Sequence, residues 1–228
     1  MATIRIPARD GSGTFSGYLA ETAGADAGIV VVQEILGVNP GIRAMVHDWA
    51  GLGYTAVAPD LFWRLQPDVN LDADDPEQFK QALELMYRFS LDQGVADIEA
   101  AIQALRAKGC RKVGVVGFCF GGLLAYLAAT RTDSDATVSY YGVNIDKFLH
   151  EQHAIGKPLL LQVALRDHFV TAEARQTIDD GLAGNSHVTI HGYDADHAFA
   201  RAVGNSRVPE LAEQADARTQ AFFKEHLA

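Results

Sequence analysis

With 228 residues, 48% of them hydrophobic and 21% charged, the chain holds ample apolar material for a core and has the length of one large or two small domains. That composition excludes disorder, collagen-like repeats and low complexity. Nineteen Lys and Arg against 29 Asp and Glu leave a formal charge of −10, which repels phosphate backbones and anionic head groups and speaks against a nucleic-acid or membrane-surface role.

Met1 to Gly13 carries arginines and an aspartate but no apolar run, so no secretory signal is expected there. Thr3 to Pro7 and Thr14 to Ala20 flank the turn residues Asp10-Gly11-Ser12-Gly13 and predict a β-hairpin. Ile29-Val30-Val31-Val32 reads as a strand covered on both faces. Asn39-Pro40 then offers an N-cap followed by proline at the first helical position. Ile42, Met45, Val46 and Trp49 share one helical face, and the helix should end near Gly51 or Gly53. Tyr54 to Ala58 is a further buried strand, followed by an aspartate-rich stretch to Pro76 that reads as a surface loop.

Helical spacing returns with Phe79, Leu83 and Met86, and again with Val95, Ile98, Ile102 and Leu105. Strands at Val113 to Val116, Val138 to Tyr141, Leu159 to Val163 and Val188 to His191 alternate with helices at Leu123 to Ala129 and Ala172 to Leu182. A helix over Leu211 to His226 follows. Strand and helix in alternation predict one α/β domain over residues 1–228, with a mainly parallel sheet and helices on both faces. No run approaches the ~20 apolar residues of a membrane span. Cys110 and Cys119 are separated by a strand that would hold their Cα atoms ~20 Å apart, well beyond the ~7 Å limit for a disulfide. Two free thiols suit a reducing cytoplasm.

The chemistry is concentrated at Gly117-Phe118-Cys119-Phe120-Gly121-Gly122, directly after one strand and directly before a helix. This is the nucleophile-elbow pattern G-x-S-x-G with cysteine in place of serine. A sharp strand-to-helix turn strains the middle residue and leaves no room for side chains at the flanking positions. The sulfur is thereby set at a helix N-terminus, whose partial charge favours thiolate. The Phe120 amide then points where an oxyanion would form. The plain alternative is a small buried thiol in a glycine-rich turn. A phosphate-binding loop does not fit, because Gly-Lys-Ser/Thr at the Walker spacing is absent.

An elbow nucleophile needs an acid and a histidine after it in the chain. Asp167 follows the strand Leu159 to Val163 and His197 follows the strand Val188 to His191, both at carboxyl ends, where open α/β sheets place their sites. A metal site is not expected: His187 and His191, on one strand, would stand ~13 Å apart, too far to share an ion.

Over nearly its whole length the sequence resembles the dienelactone hydrolases, a cysteine-dependent branch of the α/β-hydrolase superfamily. The resemblance is carried by Gln33-Glu34-Ile35-Leu36-Gly37-Val38-Asn39, Gly53 to Leu61, Gly94 to Ile102 and the elbow. Tyr140-Tyr141-Gly142, Asp167-His168-Phe169-Val170 and His197-Ala198-Phe199-Ala200-Arg201 complete it. It implies an α/β-hydrolase fold, a triad of Cys119, Asp167 and His197, and no cofactor. It further implies that Glu34 contacts the resting thiol and takes its proton when substrate binds, and that the Ile35 amide is a second oxyanion donor beside Phe120. Two arginines grip the substrate carboxylate in that family. Arg201 matches one, but the other position falls on Phe79, with Leu83 and Met86 at the neighbouring aromatic positions. Unless Arg64, Arg88 or another residue substitutes, the lost cation should cost ~2–4 kcal/mol of affinity for an anionic substrate.

The expectation is a cytoplasmic thiol hydrolase, monomeric or a small homo-oligomer, cleaving a small-molecule ester or lactone. Two other readings compete: a broad esterase on neutral aryl esters with phosphotriesterase activity, and a non-catalytic thiol sensor on the same fold.

Overall fold

A computed structural model describes residues 2–228; Met1 lies outside the described residues. Eight strands form one sheet: β1 (Ala2–Pro7), β2 (Thr14–Ala20), β3 (Ala27–Val32), β4 (Thr55–Pro59), β5 (Lys112–Phe118), β6 (Ala136–Tyr140), β7 (Leu159–Ala164) and β8 (Val188–Tyr193), in the spatial order β1-β2-β4-β3-β5-β6-β7-β8. The β1–β2 hairpin runs antiparallel and β2 joins β4 antiparallel; from β4 to β8 every pairing is parallel. The mainly parallel sheet read from the alternation is the sheet observed, and it fits the α/β-hydrolase fold that the resemblance implied. Its central strands β3 and β4 are buried at every residue, as strands covered on both faces must be.

The helices are α1 (Pro40–Gly51), α2 (Pro76–Arg88), α3 (Leu91–Ala107), α4 (Phe120–Arg131), α5 (Ala172–Leu182) and α6 (Pro209–His226). Their starts follow from local chemistry. Asn39 accepts the Ile42 N–H with Pro40 at the first turn, and Asp75 accepts from the Glu77 and Gln78 amides with Pro76 after it. Ser90 and Thr171 cap α3 and α5 in the same way.

The chain leaves β3 through α1 towards β4 on one side of the sheet order, but leaves β5 through α4 towards β6 on the other. Right-handed crossovers then put α1 on one face and α3 and α4 on the other, and α6 joins α1 through the Trp49 and Phe223 rings, 5.3 Å apart. The adjacent carboxyl ends of β3 and β5 are therefore a topological switch point, the place where an open α/β sheet parts to form a crevice. Val32 pairs with Gly117, so residues 33–35 leave the sheet beside residues 118–120.

Two features differ from the reading of the sequence. A 3-10 helix spans Ile145–Ala154, where no element was predicted. The aspartate-rich loop after β4 is also not wholly superficial, since Asp60, Leu61, Phe62 and Val69 are buried. Asp60 accepts the amides of Phe62 and Asp68, while burial pushes its carboxyl up to about 6 against those bonds. Cys110 and Cys119 are both free and buried, as expected. Among the described residues no helix is long and apolar enough to cross a membrane.

Candidate active site

At the turn from β5 to α4, Cys119 adopts φ 58° and ψ −118°, a strained conformation for any residue with a Cβ. Its amide donates to the Tyr140 carbonyl at 3.0 Å, and its carbonyl accepts from Gly122 at 2.9 Å, which fixes the turn between β6 and the helix. The flanking glycines are demanded by neighbouring backbone. A Cβ on Gly117 would lie 2.0 Å from the Gly121 carbonyl oxygen, and one on Gly121 would lie 2.3 Å from that of Gln33. Cys119, at the head of α4, is 9% exposed. Neither the Ile35 nor the Phe120 amide donates to a protein acceptor among the described residues, as two oxyanion donors require.

The structure brings Asp167 and His197 together as the chain order suggested. His197 Nδ1 lies 2.6 Å from Asp167 Oδ2, and the other carboxylate oxygen accepts the Phe169 amide at 2.8 Å. Both side chains are almost fully buried. Burial opposes a charge on the imidazole, but the Cys119 charge, the bond to Asp167 and the Asp167 charge outweigh it and carry the histidine from 6.5 up to about 10. The sulfur acts on the ring first through its charge. Tyr141 and Phe169 pack edge-on to the His197 ring, with centroids 5.2 and 4.8 Å away. Phe169, half exposed, forms part of the outer wall.

Glu34, buried where the chain leaves β3, does not meet the thiol. Its two oxygens accept from Arg201 Nε at 2.8 Å and Nη2 at 3.2 Å, and among the described residues no hydrogen bond joins it to the Cys119 thiol. The resting contact between Glu34 and the thiol that the resemblance implied is thus replaced by an ion pair. Two-point binding suits a guanidinium, and pairing is what lets both charges be buried. Arg201 is consequently not free for a substrate carboxylate in this state.

Nor do the substitutes for the second arginine reach the site. Arg64 is bound to Asp97 and Asp10 and lies over the Trp63 ring, and Arg88 is exposed at the end of α2. Phe79, Leu83 and Met86 lie along one face of α2, half-buried against the core. A cavity of about 330 Å³ adjoins the site through Leu36 and Arg201; Asn39, Asp72, Asp74 and Gln78 are in its wall, and Phe79, Leu83 and Met86 are not. Sequence reasoning gave no role to Tyr141, although Tyr140-Tyr141-Gly142 was among the marked segments. Its φ of 38° and its buried hydroxyl have no signature in composition or spacing.

Comparison with known proteins points to one family. The profile of the dienelactone hydrolase family matches residues 15–227. An Azospirillum brasilense protein provisionally assigned as a carboxymethylenebutenolidase is 44% identical over 236 residues, covering 100% of both chains. Carboxymethylenebutenolidase 1 of Cupriavidus pinatubonensis is 37% identical and covers 95% of this chain and 93% of its own. Among solved structures, one from Klebsiella pneumoniae, provisionally described as a dienelactone hydrolase, superposes with a TM-score of 0.85 at 28% identity over 98% of each chain.

Proposed function

The chain belongs to the dienelactone hydrolase family, and from that premise we propose that it cleaves its ester or lactone through an acyl-enzyme on Cys119, residues 1–228 acting as one domain. The supporting observation is the elbow: a cysteine strained at φ 58° between β5 and α4, beside a histidine fixed by a carboxylate at 2.6 Å. His197 is the base the geometry favours for the thiol proton. Its pKa stands well above the ordinary value, whereas both Glu34 oxygens accept from Arg201.

The thiolate adds to the carbonyl carbon, and the negative charge that develops on oxygen is met by the Ile35 and Phe120 amides. Collapse breaks the carbon–oxygen bond, the imidazolium gives its proton to the departing oxygen, and a thioester remains. Water, deprotonated by His197, then hydrolyses the thioester and restores the thiol. Thiolates expel amines poorly, so lactones and enol or aryl esters suit the site better than amides.

The test is pre-steady-state release of p-nitrophenol from an activated ester. A burst equal to the enzyme concentration, lost with Cys119→Ala, is the expected result; full esterase activity in Cys119→Ala would remove the proposal. A Cys119→Ala protein that unfolds like the wild type in urea confirms that the loss is chemical.

A second reading concerns the substrate. Arg201 is neutralised by Glu34, Phe79 stands where a cation was expected, and the adjoining cavity carries Asp72 and Asp74. These favour neutral aryl esters or neutral phosphotriesters over carboxylates. Relative kcat/KM on a carboxylated dienelactone, a neutral p-nitrophenyl ester and a neutral phosphotriester separates the two; a clear preference for the anion would sink the neutral reading.

A further inference from the structure

Tyr141 is the first residue after β6, next to the Tyr140 carbonyl that holds the Cys119 amide. It is held at φ 38°, a backbone conformation an aromatic residue seldom adopts and one that needs a reason. Its amide is fixed by the Gln162 carbonyl at 2.8 Å. Its ring is clamped edge-on by His197 at 5.2 Å and by Phe199 at 5.7 Å. The side chain is 2% exposed, and its hydroxyl, its sole polar atom, has no protein partner.

Other buried polar atoms without partners among the described residues have a different standing. Arg64 Nε, Asp97 Oδ1 and Arg106 Nε belong to side chains already ion-paired through their other atoms, and His197 Nε2 belongs to a ring anchored through Nδ1. Tyr141 alone of these residues leaves its whole hydrogen-bonding capacity unused. A buried hydroxyl in that condition destabilises the fold, a cost that a tyrosine kept only for packing would avoid as phenylalanine.

The charged and titratable groups facing this phenol are Glu34 from the end of β3, Cys119 from the elbow, Arg201 and His197 from the segment after β8, and Tyr140 beside it. Glu34 accepts from Arg201 at both oxygens, and no bond joins it to the phenol. Arg201 has no acceptor to offer. A neutral thiol is a weak acceptor, whereas a thiolate is a strong one. Of these groups, the one whose acceptor strength rises during the reaction is the Cys119 sulfur.

We propose that Tyr141 is a further catalytic residue, its hydroxyl donating a hydrogen bond to Cys119 Sγ once the thiol has lost its proton and so stabilising the thiolate that attacks. Burial keeps this phenol protonated far beyond the working pH, so it acts as a donor and never as a base. The inference rests on Cys119 being the nucleophile.

Tyr141→Phe removes the hydroxyl and keeps the ring against His197 and Phe199. Iodoacetamide alkylation of Cys119, followed by mass spectrometry of its peptide across pH 4–10, reads the thiolate directly. In Tyr141→Phe the midpoint of the alkylation profile should move to higher pH, and alkylation below the midpoint should slow by about tenfold or more, the scale of one hydrogen bond to a charged group. The thermal midpoint should hold or rise, because an unpartnered hydroxyl has been removed. Superimposable wild-type and Tyr141→Phe alkylation profiles would overturn the proposal and leave the tyrosine a packing role. Failure of the nucleophile reading looks different: esterase activity would survive complete alkylation of Cys119 in the wild type.

Discussion

His197 is a residue whose ionisation is set by its neighbours rather than by its type. Burial alone would keep it neutral at pH 7, and the nearby sulfur and Asp167 reverse that and hold the imidazolium up to about 10. The free-enzyme pKa values appear in the pH dependence of kcat/KM. The alkaline limb for an activated ester should therefore fall near pH 10 and not near 6.5, because above that pH the ring loses the proton that pairs with the thiolate and protonates the leaving oxygen. The stabilisation this histidine gives the fold has the same sign: complete below 6.5, and lost as pH rises through about 10. Stopped-flow rates from pH 5 to 11 check this; an alkaline limb close to 7 would mean that the sulfur does not charge the ring. How much of the site is legible in sequence divides at this scale. Cys119, Asp167 and His197 are readable because each follows a strand in the order an elbow enzyme needs. The Glu34–Arg201 pair joins residues 167 positions apart, and no local pattern reports that Arg201 is already occupied.

Glycines join the elements that meet at the elbow, and they differ sharply in what they permit. Gly117, one residue before the end of β5, lies against the backbone of α4, and Gly121, in the first turn of α4, lies against the chain leaving β3, with main-chain oxygens at 2.0 and 2.3 Å from the missing methyl. Backbone on both sides cannot rotate aside as a side-chain tip can. Gly121→Ala must then push the Gln33 carbonyl away and move the Ile35 amide with it. It should cost ~1–3 kcal/mol or more and reduce kcat at least about tenfold, as loss of an aligned oxyanion donor does. Gly51→Ala, at the end of α1 with nothing within 4 Å and no positive φ, should instead raise stability by ~0.4–1 kcal/mol. Thermal unfolding and ester hydrolysis of the two variants test the pair; equal behaviour would mean the elbow is looser than its contacts indicate. The strands and long helices are legible for a related reason, namely that continuous apolar runs and 3.6-residue spacing are local properties. The 3-10 helix at Ile145–Ala154 has one buried residue, Ile145, and so leaves no apolar stripe to read. The loop after β4 looks superficial because its aspartates dominate. What buries it is the Leu61 amide reaching Gln33 Oε1, a contact 28 positions away, and Phe62 and Val69 packing with Leu85 of α2.

The charge of the whole molecule bears on the substrate once the local cations are accounted for. The formal charge is −10, Arg201 is cancelled by Glu34, Arg64 is cancelled by Asp97 and Asp10, and the cavity beside the site has Asp72 and Asp74 in its wall. An anionic lactone thus approaches through a field of its own sign, while a neutral ester feels none. Such a field reaches about a Debye length, ~10 Å at 0.1 M salt and ~3 Å at 1 M. Raising salt from 10 mM to 0.5 M should therefore increase kcat/KM for a carboxylated dienelactone by about two- to fivefold and leave a neutral p-nitrophenyl ester nearly unchanged. The opposite response, a fall in kcat/KM for the anion as salt is added, would mean that Arg201 leaves Glu34 on approach and that the local cation outweighs the surface. Composition alone gives only the sign of the field. Whether it reaches the nucleophile depends on which arginines are already paired, and that follows from long-range contacts such as Arg64 with Asp97 and Arg201 with Glu34.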